Sequence, residues 1–137
     1  IRLVGGRGPG QMLALPVLGR VAAGQPIGAD IGLDQQVWLD RTLFSLVPDY
    51  LLKVQGDSMI DDGILDGDLV GVHRTSDARN GQVVVARVDG EITIKRYERG
   101  RKSIRLLPRN PAHSAIVVNA DQDFAIEGVY CGLVRQG

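Results

Sequence analysis

Gln82-Val83-Val84-Val85-Ala86-Arg87-Val88-Asp89-Gly90-Glu91-Ile92-Thr93-Ile94-Lys95-Arg96-Tyr97 is the stretch whose reading decides the fold. Valine and isoleucine crowd both halves, and β-branched side chains suit a pleated, half-buried surface better than a helix. Asp89-Gly90 separates the halves by two residues, the pair that most readily supplies the positive φ angles of a tight hairpin turn. The stretch therefore predicts two antiparallel strands. In the returning strand a period of two puts Ile92 and Ile94 on one face and Thr93, Lys95 and Tyr97 on the other, so Lys95 has a fixed direction.

Upstream, Asp68 to His73 and Leu51 to Val54 read as further short strands. The stretch up to Pro48, with Trp38, Leu39, Leu43, Phe44 and Leu46, predicts a short strand followed by a turn or a single helical turn. Before it, Leu15 to Gly24 is an apolar run that can pair as a strand until small residues and glycine let it bend. Downstream, Arg99-Gly100-Arg101-Lys102 turns a second hairpin into Ser103 to Leu107. Pro108 and Pro111 then interrupt, and Ile116 to Val118 and Phe124 to Arg135 complete the strands. The expected fold is mostly β.

A chain of 137 residues is long enough to bury a core without disulfides or a metal. Four glycines and a proline within Gly5 to Gly10 read as a linker, because they cost too much backbone entropy to order without strong contacts. The run lacks the Gly-Lys-Ser/Thr ending of a phosphate loop. We divide the chain into residues 1–14, which carry the linker, and residues 15–137, one domain. The start at Ile1 instead of methionine leads us to expect a fragment. Sixteen basic residues against 16 acidic ones give no net charge, which argues against a piece that holds a polyanion by itself. Arg96 and the basic residues of Arg99 to Lys102 read as a solvated hairpin tip. The single cysteine, Cys131, excludes an internal disulfide, favours a reducing compartment and reads as a small buried hydrophobe. No apolar run approaches a membrane span, which predicts a soluble cytoplasmic protein.

Gly56-Asp57-Ser58-Met59 follows directly on a predicted strand. A serine at such a junction can present its hydroxyl while backbone N–H groups converge beside it. Ser58-Met59-Ile60-Asp61 equally fits the start of a helix capped by Ser58, with Gly63 as its stop. His73, near a strand end, and His113, in a Pro-flanked loop, have no obvious orienting carboxylate nearby and read as structural or surface residues. A lysine can serve as the base only when neutral, with its pKa brought from ~10.4 to near 7, which costs about 4 kcal/mol and is within reach of burial. Lys95 is a candidate, although a lysine exposed on an edge strand would look identical. Asp61, Asp62, Asp66 and Asp68 lack the spacing of a calcium loop, and Asp66-Gly67-Asp68 reads as a turn. No histidine and cysteine grouping has zinc spacing, so no metal is expected.

Together, Gly56-Asp57-Ser58-Met59, Asp66-Gly67-Asp68, Asn80-Gly81-Gln82-Val83-Val84-Val85-Ala86-Arg87 and Thr93-Ile94-Lys95-Arg96 closely resemble the catalytic region shared by LexA-type repressors, UmuD and cleavable phage repressors. Val21-Ala22-Ala23-Gly24 resembles the segment that such repressors cut, and the resemblance runs from about Leu15 to Arg135. It implies a compact, mostly β fold of twisted antiparallel sheets, a partly open barrel of the LexA/signal-peptidase type with little helix. It implies Ser58 as nucleophile, Lys95 as general base, the N–H groups of Asp57 and Ser58 as oxyanion donors, and Ala23-Gly24 as the bond cut, within a cleavage segment of about 17–26. Thr93, on the face of Lys95, is the expected orienting hydroxyl, and no cofactor is implied. The partners implied are a second copy, joined through the strand from Glu127 to Arg135; a RecA filament on single-stranded DNA; and operator DNA, met only through a missing N-terminal domain whose end Ile1-Arg2-Leu3-Val4 resembles. The alternatives are a UmuD-like polymerase accessory subunit and a non-enzymatic dimerisation module. A membrane-anchored peptidase of the signal-peptidase type would need an anchor that this chain lacks.

Overall fold

The structure, a computed structural model, describes residues 11–18 and 36–135. The expected linker at Gly5 to Gly10, the segment Ile1 to Val4, the bend after Leu18 and the bond between Ala23 and Gly24 lie outside the described residues.

Nine strands account for most of the described chain: β1 Met12–Leu18, β2 Gln36–Asp40, β3 Tyr50–Lys53, β4 Leu69–Arg74, β5 Val83–Val88, β6 Glu91–Arg99, β7 Ile104–Leu107, β8 Ile116–Val118 and β9 Phe124–Val134. Helix is confined to two single 3-10 turns, Arg41–Leu43 and Ile60–Asp62, among the described residues. The mostly β expectation stands, and β1 begins at Met12, earlier than the Leu15 at which the sequence reading starts it.

The strands form one open sheet in the order β2-β1-β3-β4-β9-β5-β6-β7-β8. Every pairing is antiparallel except that of β1 with β3, where Val17 and Leu18 lie opposite Leu51 and Leu52. The first part of β1 instead pairs antiparallel with β2, Met12 opposite Asp40. β9 lies inside the sheet: β4 pairs along it from Gly128 to Val134, and β5 from Phe124 to Val129. Where β9 crosses β4, a Cβ on Gly128 would stand 2.5 Å from Val72 Cγ1 and 2.7 Å from the His73 carbonyl oxygen, so only glycine fits.

The hairpin β5–β6 follows the expected register, with Val88 opposite Glu91. Asp89 and Gly90 both take positive φ, 51° and 86°, the geometry that lets a two-residue turn follow the twist of its strands. Val84 and Ala86 pack with Tyr97, Leu106, Val118 and Val129 in one core cluster. Val85 faces the other way, into a cluster with Leu52, Val54, Met59 and Ile64, against which Ile92 and Ile94 pack. Burial on both faces explains why Val83 to Ala86 reads as a continuous apolar run. The third cluster joins Leu15 and Val17 to Phe44, Leu51 and Cys131, where burial pushes the cysteine thiol up to about 11. No helix of the described residues is long and apolar enough to cross a membrane.

Candidate active site

Ser58 sits on the link between β3 and β4. The link leaves the sheet through Gly56, whose φ of 87° is open to glycine at no steric cost. It is then pinned from below by Met59, 2% exposed and sunk into the core cluster beside Val54 and Ile64. The 3-10 turn Ile60–Asp62 begins after Met59 with no side-chain cap and ends at Gly63 in the left-handed region. Ser58 is therefore not the capping residue, although Gly63 is the stop that the sequence suggested.

The hydroxyl of Ser58 points instead at β6. Lys95 Nζ lies 3.1 Å from Ser58 Oγ and 2.5 Å from Thr93 Oγ1. Lys95 is not an exposed edge lysine: it is 8% exposed, and burial holds its pKa below the ordinary lysine value because the charged form loses water. Ser58, Lys95 and Thr93 open on a cleft of about 320 Å³ walled by Leu52 to Gln55 on one side and Gly90 to Ile94 on the other, with Met59 and Ile64 as apolar floor. Among the described residues, the Ser58 N–H meets no backbone acceptor, whereas the Asp57 N–H lies against its own carboxylate. A serine hydroxyl with a buried amine at hydrogen-bond distance, beside an unpaired amide, has the parts that acyl transfer needs.

The turn is braced by charges whose role the sequence did not reveal. Asp62 accepts from Arg96 Nε at 3.0 Å and Nη2 at 3.1 Å, and from Arg109 Nε at 3.1 Å. Burial works to raise the Asp62 carboxyl, but the two guanidiniums outweigh it and hold the pKa low. Asp66 Oδ1 accepts the Gly56 N–H at 2.8 Å, which ties the expected Asp66-Gly67-Asp68 turn to the start of the Ser58 link. Asp68, 1% exposed, is gripped by Arg135 at 2.7 and 2.8 Å, and that hydrogen bonding lowers its pKa against the effect of burial. Among the described residues, no group of three or more metal-ligating side chains converges.

The two histidines part company. His73 Nδ1 meets the Val47 carbonyl at 2.8 Å. His113 does have a carboxylate partner, contrary to the sequence reading: its Nε2 lies 2.7 Å from Asp57 Oδ1, and this contact lowers the Asp57 pKa. The partners lie 56 positions apart, so no local pattern announced the pair. Even so, the group facing Ser58 Oγ is Lys95.

Fold and site together define a mostly β serine peptidase. The chain belongs to the Peptidase S24-like family, which matches residues 16–131. It is 80% identical over all of its 137 residues to LexA repressor 1 of Xanthomonas campestris pv. campestris, spanning 68% of that protein. It is 68% identical to a LexA repressor of Xylella fastidiosa over 90% of this chain and 59% of the relative. LexA repressor 2 of Pseudomonas syringae pv. tomato is 61% identical over 99% of this chain and 67% of its own length.

Proposed function

We propose that the chain is the self-cleaving domain of a LexA-type repressor, in which Ser58 and Lys95 cut the chain's own Ala23-Gly24 bond. The observation that carries this reading is the 3.1 Å approach of Lys95 Nζ to Ser58 Oγ at a buried lysine. Neutral Lys95 takes the hydroxyl proton, and Ser58 Oγ bonds to the carbonyl carbon of Ala23. The N–H groups of Asp57 and Ser58 hold the resulting oxyanion. Lys95 then gives its proton to the departing amine of Gly24, leaving Ala23 as an ester on Ser58. Water, losing its proton to the Lys95 amine, now neutral again, hydrolyses that ester and frees Ser58. Thr93 orients the amine throughout, since its Oγ1 accepts from Nζ. Small residues at the cut allow a tight turn into a narrow cleft, and joining substrate to catalyst supplies an effective molarity that can reach ~10⁵ M.

Such a site must be restrained by conformation. Cutting requires the Ala23-Gly24 bond to dock at Ser58, and a RecA filament on single-stranded DNA favours that docking after DNA damage. Residues 1–14 then hold the linker and the end of a DNA-reading domain, which belongs to the part of the longer relatives that this chain does not span. Dimerisation uses β9, where β5 pairing ends at Val129 and leaves the second edge of Tyr130 to Val134 to other contacts, among them the Ser45 N–H on the Cys131 carbonyl at 3.0 Å. Cleavage separates the DNA-reading heads from the dimeriser, so that two linked contacts become two separate ones and repression ends in the bacterial cytoplasm.

The test is incubation of the chain from about pH 7 to 10, followed by intact mass spectrometry beside Ser58→Ala and Lys95→Ala. One cut between Ala23 and Gly24, absent in both variants, is expected. A natively folded chain that stays whole at every pH would replace this reading with a non-enzymatic dimerisation module.

A further inference from the structure

We infer that Asn110 is a positioning residue for the oxyanion-binding amide of Ser58, an inference that rests on the nucleophile proposed above. Asn110 Nδ2 donates to the Asp57 carbonyl at 2.9 Å, the shorter of two bonds on that oxygen, the other coming from the Ile60 N–H at 3.3 Å. That carbonyl and the Ser58 N–H belong to one peptide plane, which is trans, so they point in opposite directions. Holding the oxygen on the Asn110 side aims the N–H away from it. The same bond draws electron density from the carbonyl and makes the N–H a stronger donor.

The orientation of the Asn110 amide is itself determined. Its Oδ1 accepts the Ala112 N–H at 2.9 Å, which leaves Nδ2 to face Asp57. The turn Asn110-Pro111-Ala112-His113 closes with the His113 N–H on the Asn110 carbonyl at 3.0 Å, and a proline in the second position presets its φ. On either side of Asn110 the same segment grips the nucleophile turn again. The Arg109 N–H donates to the Ser58 carbonyl at 2.7 Å, the Arg109 carbonyl accepts the Asp61 N–H at 2.8 Å, and His113 holds the Asp57 side chain. The Pro-flanked loop that interrupts the strands thus serves as a brace beneath the turn.

Asn110 touches neither Ser58 Oγ nor Lys95 in this network, so it acts on the oxyanion amide and leaves the base alone. Loss of a whole oxyanion donor slows related reactions by about 10² to 10³. Misaiming one by removing its brace should slow self-cleavage roughly tenfold or more. The test measures self-cleavage of the full chain against pH for the wild type, Asn110→Asp and Asn110→Ser. The aspartate keeps an acceptor for the Ala112 N–H but loses the donor. The serine keeps a short acceptor without adding charge. Asn110→Ser should lower the alkaline plateau at least about tenfold while the pH midpoint and the melting temperature hold, and Asn110→Asp, which sets a second carboxylate against Asp57, should lower it at least as far. Wild-type plateaus in both variants overturn the inference, as does a rate that merely follows the folded fraction or a shift of the midpoint alone. A wild-type chain that remains uncut defeats the nucleophile reading itself, and this inference with it, a result distinct from normal cutting by the variants.

Discussion

Lys95 Nζ and Ser58 Oγ stand 3.1 Å apart although 37 positions separate them in the chain. The contact depends on β6 carrying Lys95 under a turn that leaves the sheet after β3. Its consequence is a pH profile. Burial lowers the Lys95 pKa from 10.5, so the neutral fraction rises with pH and levels off below the range of an exposed lysine. Single-turnover cleavage should therefore rise and reach its plateau with a midpoint below 10.5; a midpoint at or above that value would show that burial does not tune the base.

Lys95→Met should abolish cleavage and stabilise the fold at neutral pH. A lysine whose folded pKa lies below its unfolded value binds more protons when unfolded, so its protonation costs stability below the folded pKa. As pH rises from the folded towards the unfolded pKa, that cost disappears. Thermal melting of the variant should exceed wild type at pH 7 and converge with it at strongly alkaline pH.

Thr93→Val removes the acceptor on Lys95 Nζ while keeping the side-chain shape. A hydrogen bond worth about 0.5–1.5 kcal/mol corresponds to a slowing of roughly two- to tenfold. Cleavage rates at the alkaline plateau measure it, and an unchanged rate would remove Thr93 from the site.

Arg135→Ala leaves the Asp68 carboxylate, 1% exposed, without its guanidinium. Because the Asp68 pKa is lowered in the fold, the pair contributes stability above the ordinary aspartate pKa and loses it as pH falls through the lowered value. Urea unfolding at neutral pH should show a lower midpoint for the variant, and the difference should shrink in acid.

Gly128→Ala should destabilise by about 1–3 kcal/mol, because the new methyl meets the His73 backbone, which cannot rotate aside. A denaturant midpoint equal to wild type would mean that β4 and β9 separate more easily than their pairing suggests.

How far the sequence could be read depended on distance along the chain. The β5–β6 hairpin was legible because its turn chemistry and alternation are local, and Asp89 and Gly90 adopt the φ angles their residue types favour. The 3-10 turn at Ile60–Asp62 was half legible: Gly63 ends it as expected, but Ser58 does not cap it. The pairing of Asp57 with His113 and of Asp57 with Asn110 was not legible, since the partners stand 56 and 53 positions apart and no periodicity links them.

By itself the sequence determined the strands, the turns between them and the short list of side chains able to do chemistry, because backbone preference and hydrophobic alternation act over a few residues. Tertiary structure alone decided that Lys95 is buried and not an edge lysine, and that the Ser58 hydroxyl turns towards it. It also decided that β9 runs inside the sheet, and that Arg109, Asn110 and His113 brace the turn that carries Ser58. Burial and a shifted pKa come from whatever packs over a group, and that is set only when distant segments meet.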